Sequence, residues 1–81
     1  MKVIADKRLF WFLKDNQELD LADSSVLDMF VQQVLSAGLS KDVHFLLEDV
    51  GIAKFRESFE RIKAFISRDV RRYWEDYFGG N

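Results

Sequence analysis

Ser67-Arg68-Asp69-Val70-Arg71-Arg72-Tyr73-Trp74-Glu75-Asp76-Tyr77-Phe78 is the most regular stretch of this chain. Val70, Tyr73, Trp74, Tyr77 and Phe78 recur at i, i+3, i+4, i+7 and i+8, the period of one helix face. Four of the five are aromatic, so this helix is expected to bury more apolar surface than any other segment. Arg71, Arg72, Glu75 and Asp76 fall on the opposite side and face water. Ser67 is placed as an N-cap and Gly79-Gly80 as the stop. The rest of the chain is then expected to supply the groove that receives this helix.

Upstream, Ile52, Phe55, Phe59, Ile62 and Ile66 form one stripe, which reads as a helix from about Ile52 to Phe65. Before it, Ser40 is placed to cap a shorter helix in which Val43, Leu46, Leu47 and Val50 share a face, closed by Gly51. Asp23 or Ser24 caps a first helix over about residues 24–37. Leu27, Phe30, Val31 and Val34 point inward there, Met29 and Leu35 lie at the edges, and Gly38 ends it. Residues 1–22 show no clean period. Leu9-Phe10-Trp11-Phe12-Leu13 is a continuous apolar run, readable as a buried strand or a turn of helix, and Asp15-Asn16-Gln17 reads as a turn. The fold expected is all-α. It is a compact single domain of about four short helices over 23–78, with an irregular aromatic arm at 1–22 and a tail at 79–81. The absence of proline agrees with a mostly helical chain.

Eighty-one residues make one domain with one core. Twelve aromatics are a heavy load at this length, available either to the core or to a partner. No cysteine is present, which excludes disulfides and thiolate metal sites. The net charge of −2 argues against a general nucleic-acid binder. Its distribution is uneven: residues 1–50 carry five Lys/Arg against nine Asp/Glu, and residues 51–81 carry seven against five. No signal peptide is visible, and no apolar run approaches the roughly 20 residues of a membrane span. A cytoplasmic protein is expected.

Chemistry-bearing groups are sparse. His44, the only histidine, lies at the edge of a helix face with Asp42 or Glu48 available to orient it, but no nucleophile or second ligand accompanies it. A surface or structural role is preferred. Glu48-Asp49 and Glu75-Asp76 look like paired acids, yet adjacent helical residues point about 100° apart. Glu57 with Arg61, Arg56 with Glu60, Arg71 with Glu75 and Arg72 with Asp76 are spaced as i,i+4 ion pairs, which assigns those acids to a solvated face. No metal site, cofactor or catalytic residue is therefore expected. Asp23-Ser24-Ser25 resembles a carrier-protein attachment serine, but Ser25 stands where leucine is required, and capping explains the pair. A helix-turn-helix at Gly51 would place Glu57 and Glu60 where its second helix packs, which counts against it. Arg68, Arg71 and Arg72, joined by Arg61 and Lys63, remain as candidate phosphate contacts.

Phe10-Trp11, Leu19-Asp20-Leu21, the aliphatic helix ending at Gly38, and Asp42-Val43 with Leu46-Leu47 before Gly51 follow one another in order. Ser67-Arg68 with Tyr73-Trp74 and then Tyr77-Phe78 closes the series. Over about residues 9–78 this arrangement resembles a family of small, uncharacterised bacterial helical proteins. The chain departs from that family at Phe12, where an acid is usual, and at Gln32-Gln33, where a Glu-Arg pair is usual. Genes of such proteins often stand beside abortive-infection-type nucleotidyltransferase toxins. The resemblance thus implies a non-enzymatic, antitoxin-like accessory protein that binds such a partner. Phe10, Trp11 and Phe12 are the expected partner-binding residues, because four short helices do not readily hide twelve aromatics. A homodimer would satisfy the same surplus. The alternative is a small nucleic-acid-binding regulator acting weakly through the basic side of the last two helices.

Overall fold

The computed structural model describes residues 1–79, so Gly80 and Asn81 of the expected tail lie outside the described residues. Helix α1 spans Ser24–Ala37. Asp23 caps it, its carboxylate accepting from the Ser25 backbone N–H at 3.0 Å and from the Ser25 hydroxyl at 2.8 Å. Leu27, Phe30, Val31, Val34 and Leu35 are buried along one side. At its end the Gly38 N–H donates to the Val34 carbonyl at 2.8 Å. A Cβ at Gly38 would sit 2.5 Å from that oxygen, so this close turn requires glycine.

Helix α2, Ser40–Phe45, is only six residues long and runs directly into a π-helical stretch, Leu46–Gly51. Ser40 is its first helical residue and Leu39 the cap position, where the backbone N–H donates to Asp42 Oδ2 at 2.7 Å. Ser40 is therefore not the cap that the sequence suggested: no side chain caps this helix from the Leu39 position, and the acid three residues in reaches back to the cap residue's own N–H. Gly51 ends the π-helical stretch at φ 98°, a backbone region open mainly to glycine. Helix α3 follows at Ile52–Ile62, a 3₁₀ turn covers Lys63–Phe65, and helix α4 spans Arg68–Gly79. The chain is mostly helical, as expected, but the count differs from four: three helices of eleven residues or more, with α2 a short prelude to the π-helical stretch.

The arm is ordered, which corrects the expectation of an irregular segment. Strand β1, Lys2–Ile4, pairs antiparallel with β2, Glu18–Asp20, placing Val3 opposite Leu19. Hydrogen bonds from Leu21 N–H to the Met1 carbonyl (2.7 Å) and from Ala5 N–H to the Gln17 carbonyl (2.8 Å) extend the pairing at both ends. The connection folds back in successive turns: the Leu9 and Phe10 amides both donate to the Asp6 carbonyl, and Asn16 takes φ 57°. Three-residue strands are too short to print an alternation in sequence, which is why the pairing was not legible.

Leu9, Phe10, Leu19 and Leu21 from the arm join α1, Leu46 and the α3 residues Phe55, Phe59 and Ile62 in one core. Phe10 stacks on Phe30 with ring centroids 5.5 Å apart. Gln33 Nε2 also donates to the Leu9 carbonyl at 2.8 Å, tying the arm to α1. Between α1 and α3, Arg61 donates to both oxygens of Asp28, at 2.8 and 2.9 Å, while the fully buried Ser58 hydroxyl donates to Asp28 Oδ1 at 2.7 Å. Arg61 therefore bridges two helices instead of pairing with Glu57 along its own. None of the four i,i+4 pairs read from the spacing occurs among the ion pairs of the described residues.

The final helix is not the element around which the others assemble. Of its five stripe residues only Trp74 is buried; Val70 and Phe78 are half-buried, and Tyr73 and Tyr77 are 63% and 49% exposed. Trp74 meets Phe55 edge-on at 4.9 Å, and Phe78 covers Phe55 and Phe59 at 5.1 and 5.4 Å. Because α1 and α3 already bury their stripes against each other and the arm, α4 finds only the outer flank of α3 to cover. A flank admits one line of side chains. The second line, Tyr73 and Tyr77, stays in water.

Candidate protein-docking surface

The exposed large apolar side chains are Met1, Ile4, Trp11, Phe12, Leu39, Ile52, Phe65, Tyr73 and Tyr77. Several of them meet at one groove. Leu39, Val43 and Leu47, four residues apart along α2 and the π-helical stretch, form one wall, and Tyr73, Trp74 and Tyr77 of α4 form the other. The groove, about 460 Å³, has Gly38, Ser40 and His44 completing its lining. It continues at one end into a concavity shared with Val34, Leu35, Asp69 and Val70. At the other end Tyr77 is common to a third hollow, lined by Ile52, Ala53, Arg56, Glu57 and Phe78. Three adjoining hollows thus follow α4 from its first turn to its last as a shallow trough of mixed lining, apolar at Leu39, Val43, Leu47 and the α4 aromatics and polar at Ser40, His44, Arg56 and Glu57.

The three aromatics expected to bind a partner do not act together. Phe10 is 1% exposed and belongs to the core, so of the three only Trp11 and Phe12 are placed to meet a partner. The turn after it throws Trp11 (71% exposed) and Phe12 (49%) outward, where they touch each other edge-on at 5.4 Å. The apolar run is thus divided within one turn: Leu9 and Phe10 inward, Trp11 and Phe12 outward. Leu39, Tyr73 and Tyr77 were missed as surface residues. The two tyrosines sit at helical spacing on the apolar face, and periodicity does not distinguish a covered face from an open one.

The basic residues are only partly assembled. Arg68 and Arg72 are exposed and Arg71 is half-buried. Arg61 is committed to Asp28, and Lys63 to Glu60 at 2.8 Å, with Glu75 3.9 Å away. His44 is exposed on α2, its Nδ1 3.9 Å from Glu48. Asp42, the other acid considered for orienting it, is engaged elsewhere, accepting from the Arg8 guanidinium at 2.9 and 3.1 Å and from the Leu39 amide. Partial burial pushes the Asp42 carboxyl up, but the Leu39 amide and the Arg8 guanidinium outweigh it and hold the group below its ordinary value.

A smaller hollow of about 290 Å³ lies between the arm and α2. Val3, Ile4, Leu9, Phe10, Phe30 and Phe45 line it, with Asp6, Lys41 and Asp42 as its charged members. Among the described residues there is no group of three or more His, Asp or Glu placed to hold a metal ion. No described helix is long and apolar enough to cross a membrane. No family model matches the chain, and no match is found among curated proteins or solved structures.

Proposed function

We propose that this protein is a non-enzymatic interaction module that binds a protein partner through exposed apolar surface. The observation that carries the reading is the trough along α4, where Leu39, Tyr73 and Tyr77, each about half exposed or more, meet around one groove. A chain of this size gains little by leaving two tyrosines and a leucine together in water, whereas interfaces are enriched in aromatic anchors of this kind. Trp11 and Phe12 form a second, smaller exposed cluster, and Phe65 stands exposed on its own. The resemblance supplies the partner to try first, a nucleotidyltransferase encoded nearby, toward which the protein would act as an antitoxin-like accessory. Co-expression with that neighbour, followed by sizing of the purified material, tests it. A stable heteromeric complex is expected, weakened by Tyr77→Asp or Phe12→Asp. A chain that elutes alone beside its neighbour's product overturns the pairing.

The nucleic-acid reading has less support, since Arg61 and Lys63 are neutralised locally and only Arg68, Arg71 and Arg72 remain. Three such cations imply salt-sensitive affinity no tighter than about 10 μM near physiological salt. Sub-micromolar DNA binding lost on replacing these arginines would reverse the order of the two readings.

A further inference from the structure

The trough also carries a charge pattern, and that pattern selects its occupant. On α4, successive residues step by about 100°, which places Asp69 and Asp76 immediately beyond Tyr73 on the side away from Trp74. Both aspartates are exposed, and neither has an ion-pair partner among the described residues. On the opposite wall, the exposed Glu48 follows the lining residue His44 by one helical turn, 3.9 Å from its ring, and Glu57 lines the far end beside Arg56. The floor is thus edged by four carboxylates, of which Asp69 and Glu57 line it directly, against Arg56, His44 and, one step beyond Asp76, Arg72, which leaves an excess of negative charge. Resting on the reading of this protein as an interaction module, we propose that the trough receives one basic amphipathic helix of a different protein. Its aliphatic stripe lies between the Leu39–Val43–Leu47 row and the Tyr73–Tyr77 row, and its Lys or Arg side chains meet Asp69, Asp76 and Glu48.

Charge favours this occupant over a second copy of the chain, and the dimensions of the groove suit a helix. An isologous pairing would place the same carboxylate-edged surface against itself, and juxtaposed like charges oppose association. The wall from Leu39 to Leu47 extends about 12 Å at helical rise, enough for the i, i+4, i+7 anchors of a docked helix. The tyrosine hydroxyls at the lip offer hydrogen bonds to a partner's polar edge.

Two synthetic helices of about sixteen residues test the assignment, identical in their leucine stripe, with lysine on the polar face of one and glutamate on the other. Each is titrated into the full chain while backbone amide resonances are followed. The lysine peptide is expected to bind at least about tenfold more tightly than the glutamate peptide, with shifts gathered at Gly38–Leu47 and Tyr73–Tyr77. Asp76→Asn combined with Glu48→Gln should shrink that ratio several-fold while leaving the melting temperature unchanged. Absence of binding, or equal binding of both peptides, overturns the proposal. So does a concentration-dependent dimer whose shifts map to the trough, which would make a second copy the occupant. Shifts centred on Trp11 and Phe12 overturn it while leaving the interaction-module reading intact. A neighbour complex indifferent to Tyr77→Asp has the same effect.

Discussion

Helices α3 and α4 carry the same kind of sequence signal and meet different fates. Each has an aromatic stripe at helical spacing and a charged opposite face. In α3, Phe55 and Phe59 are fully buried and Ile62 nearly so. In α4, only Trp74 is buried while its neighbour Tyr73 is 63% exposed. The difference lies in the surroundings. α3 has α1 on one side, bolted through Asp28, and α4 on the other; α4 has α3's flank and the edges of α1 and α2. Amphipathicity therefore reports which face would be buried if something arrives to cover it.

Truncation separates the two helices most sharply. Phe59→Ala removes a fully buried ring from the centre and should cost about 3–5 kcal/mol, enough to unfold a domain this small in a denaturant titration. Trp74→Ala should cost about 3 kcal/mol, the low end of that range, because the ring packs mainly against Phe55 and the other α4 aromatics. A Trp74→Ala protein that melts within a few degrees of the parent would make α4 an appendage to the fold.

The Asp28 clamp sets the α1–α3 pair apart from α4, and acid should loosen it. The Arg61 guanidinium lowers the Asp28 carboxyl below its ordinary value, against opposing burial and with help from the Ser58 hydroxyl. A carboxyl depressed in the folded state binds its proton more readily when unfolded. Its contribution is therefore present above the unfolded value near 3.9 and is lost as pH falls through the lower folded one. Asp28→Asn should cost about 1–2 kcal/mol at neutral pH and flatten the fall in stability below about pH 4. An unchanged acid limb in the variant would show that the clamp contributes nothing. The smallest effect is expected at Tyr73→Ala: about 0.5 kcal/mol or less in the isolated chain, although Tyr73 adjoins Trp74 in sequence. A loss near that of Trp74→Ala would mean that the tyrosine row is part of the core and not an open docking face.

Local chemistry was enough to read much of the chain. Asp23 before an apolar period, Gly38 after it, and Gly51 at a forced turn place α1 and the start of α3, because caps and glycine conformations act over a few residues. Expectations fell short where the deciding contacts are distant. Strand β1 becomes a strand because Glu18–Asp20 lies beside it. The Leu9–Leu13 run is divided into inner and outer halves by the Asp6 carbonyl and by Phe30 of α1. Arg61 leaves the i,i+4 partner on its own helix for Asp28 on another, where two hydrogen bonds and a neighbouring hydroxyl outweigh one exposed pair.

By itself the sequence determined that the chain is mostly helical, where α1 runs, and that Trp74 lies on the apolar face of its helix, since these follow from periodicity, capping and the size of the apolar side chains. Tertiary structure alone decided that Phe10 is core while Trp11 is surface, and that Tyr73 and Tyr77 border an open trough. Exposure depends on how many neighbours compete for each face, and once α1, α3 and the arm had buried one another, no apolar surface remained to cover the second row of α4.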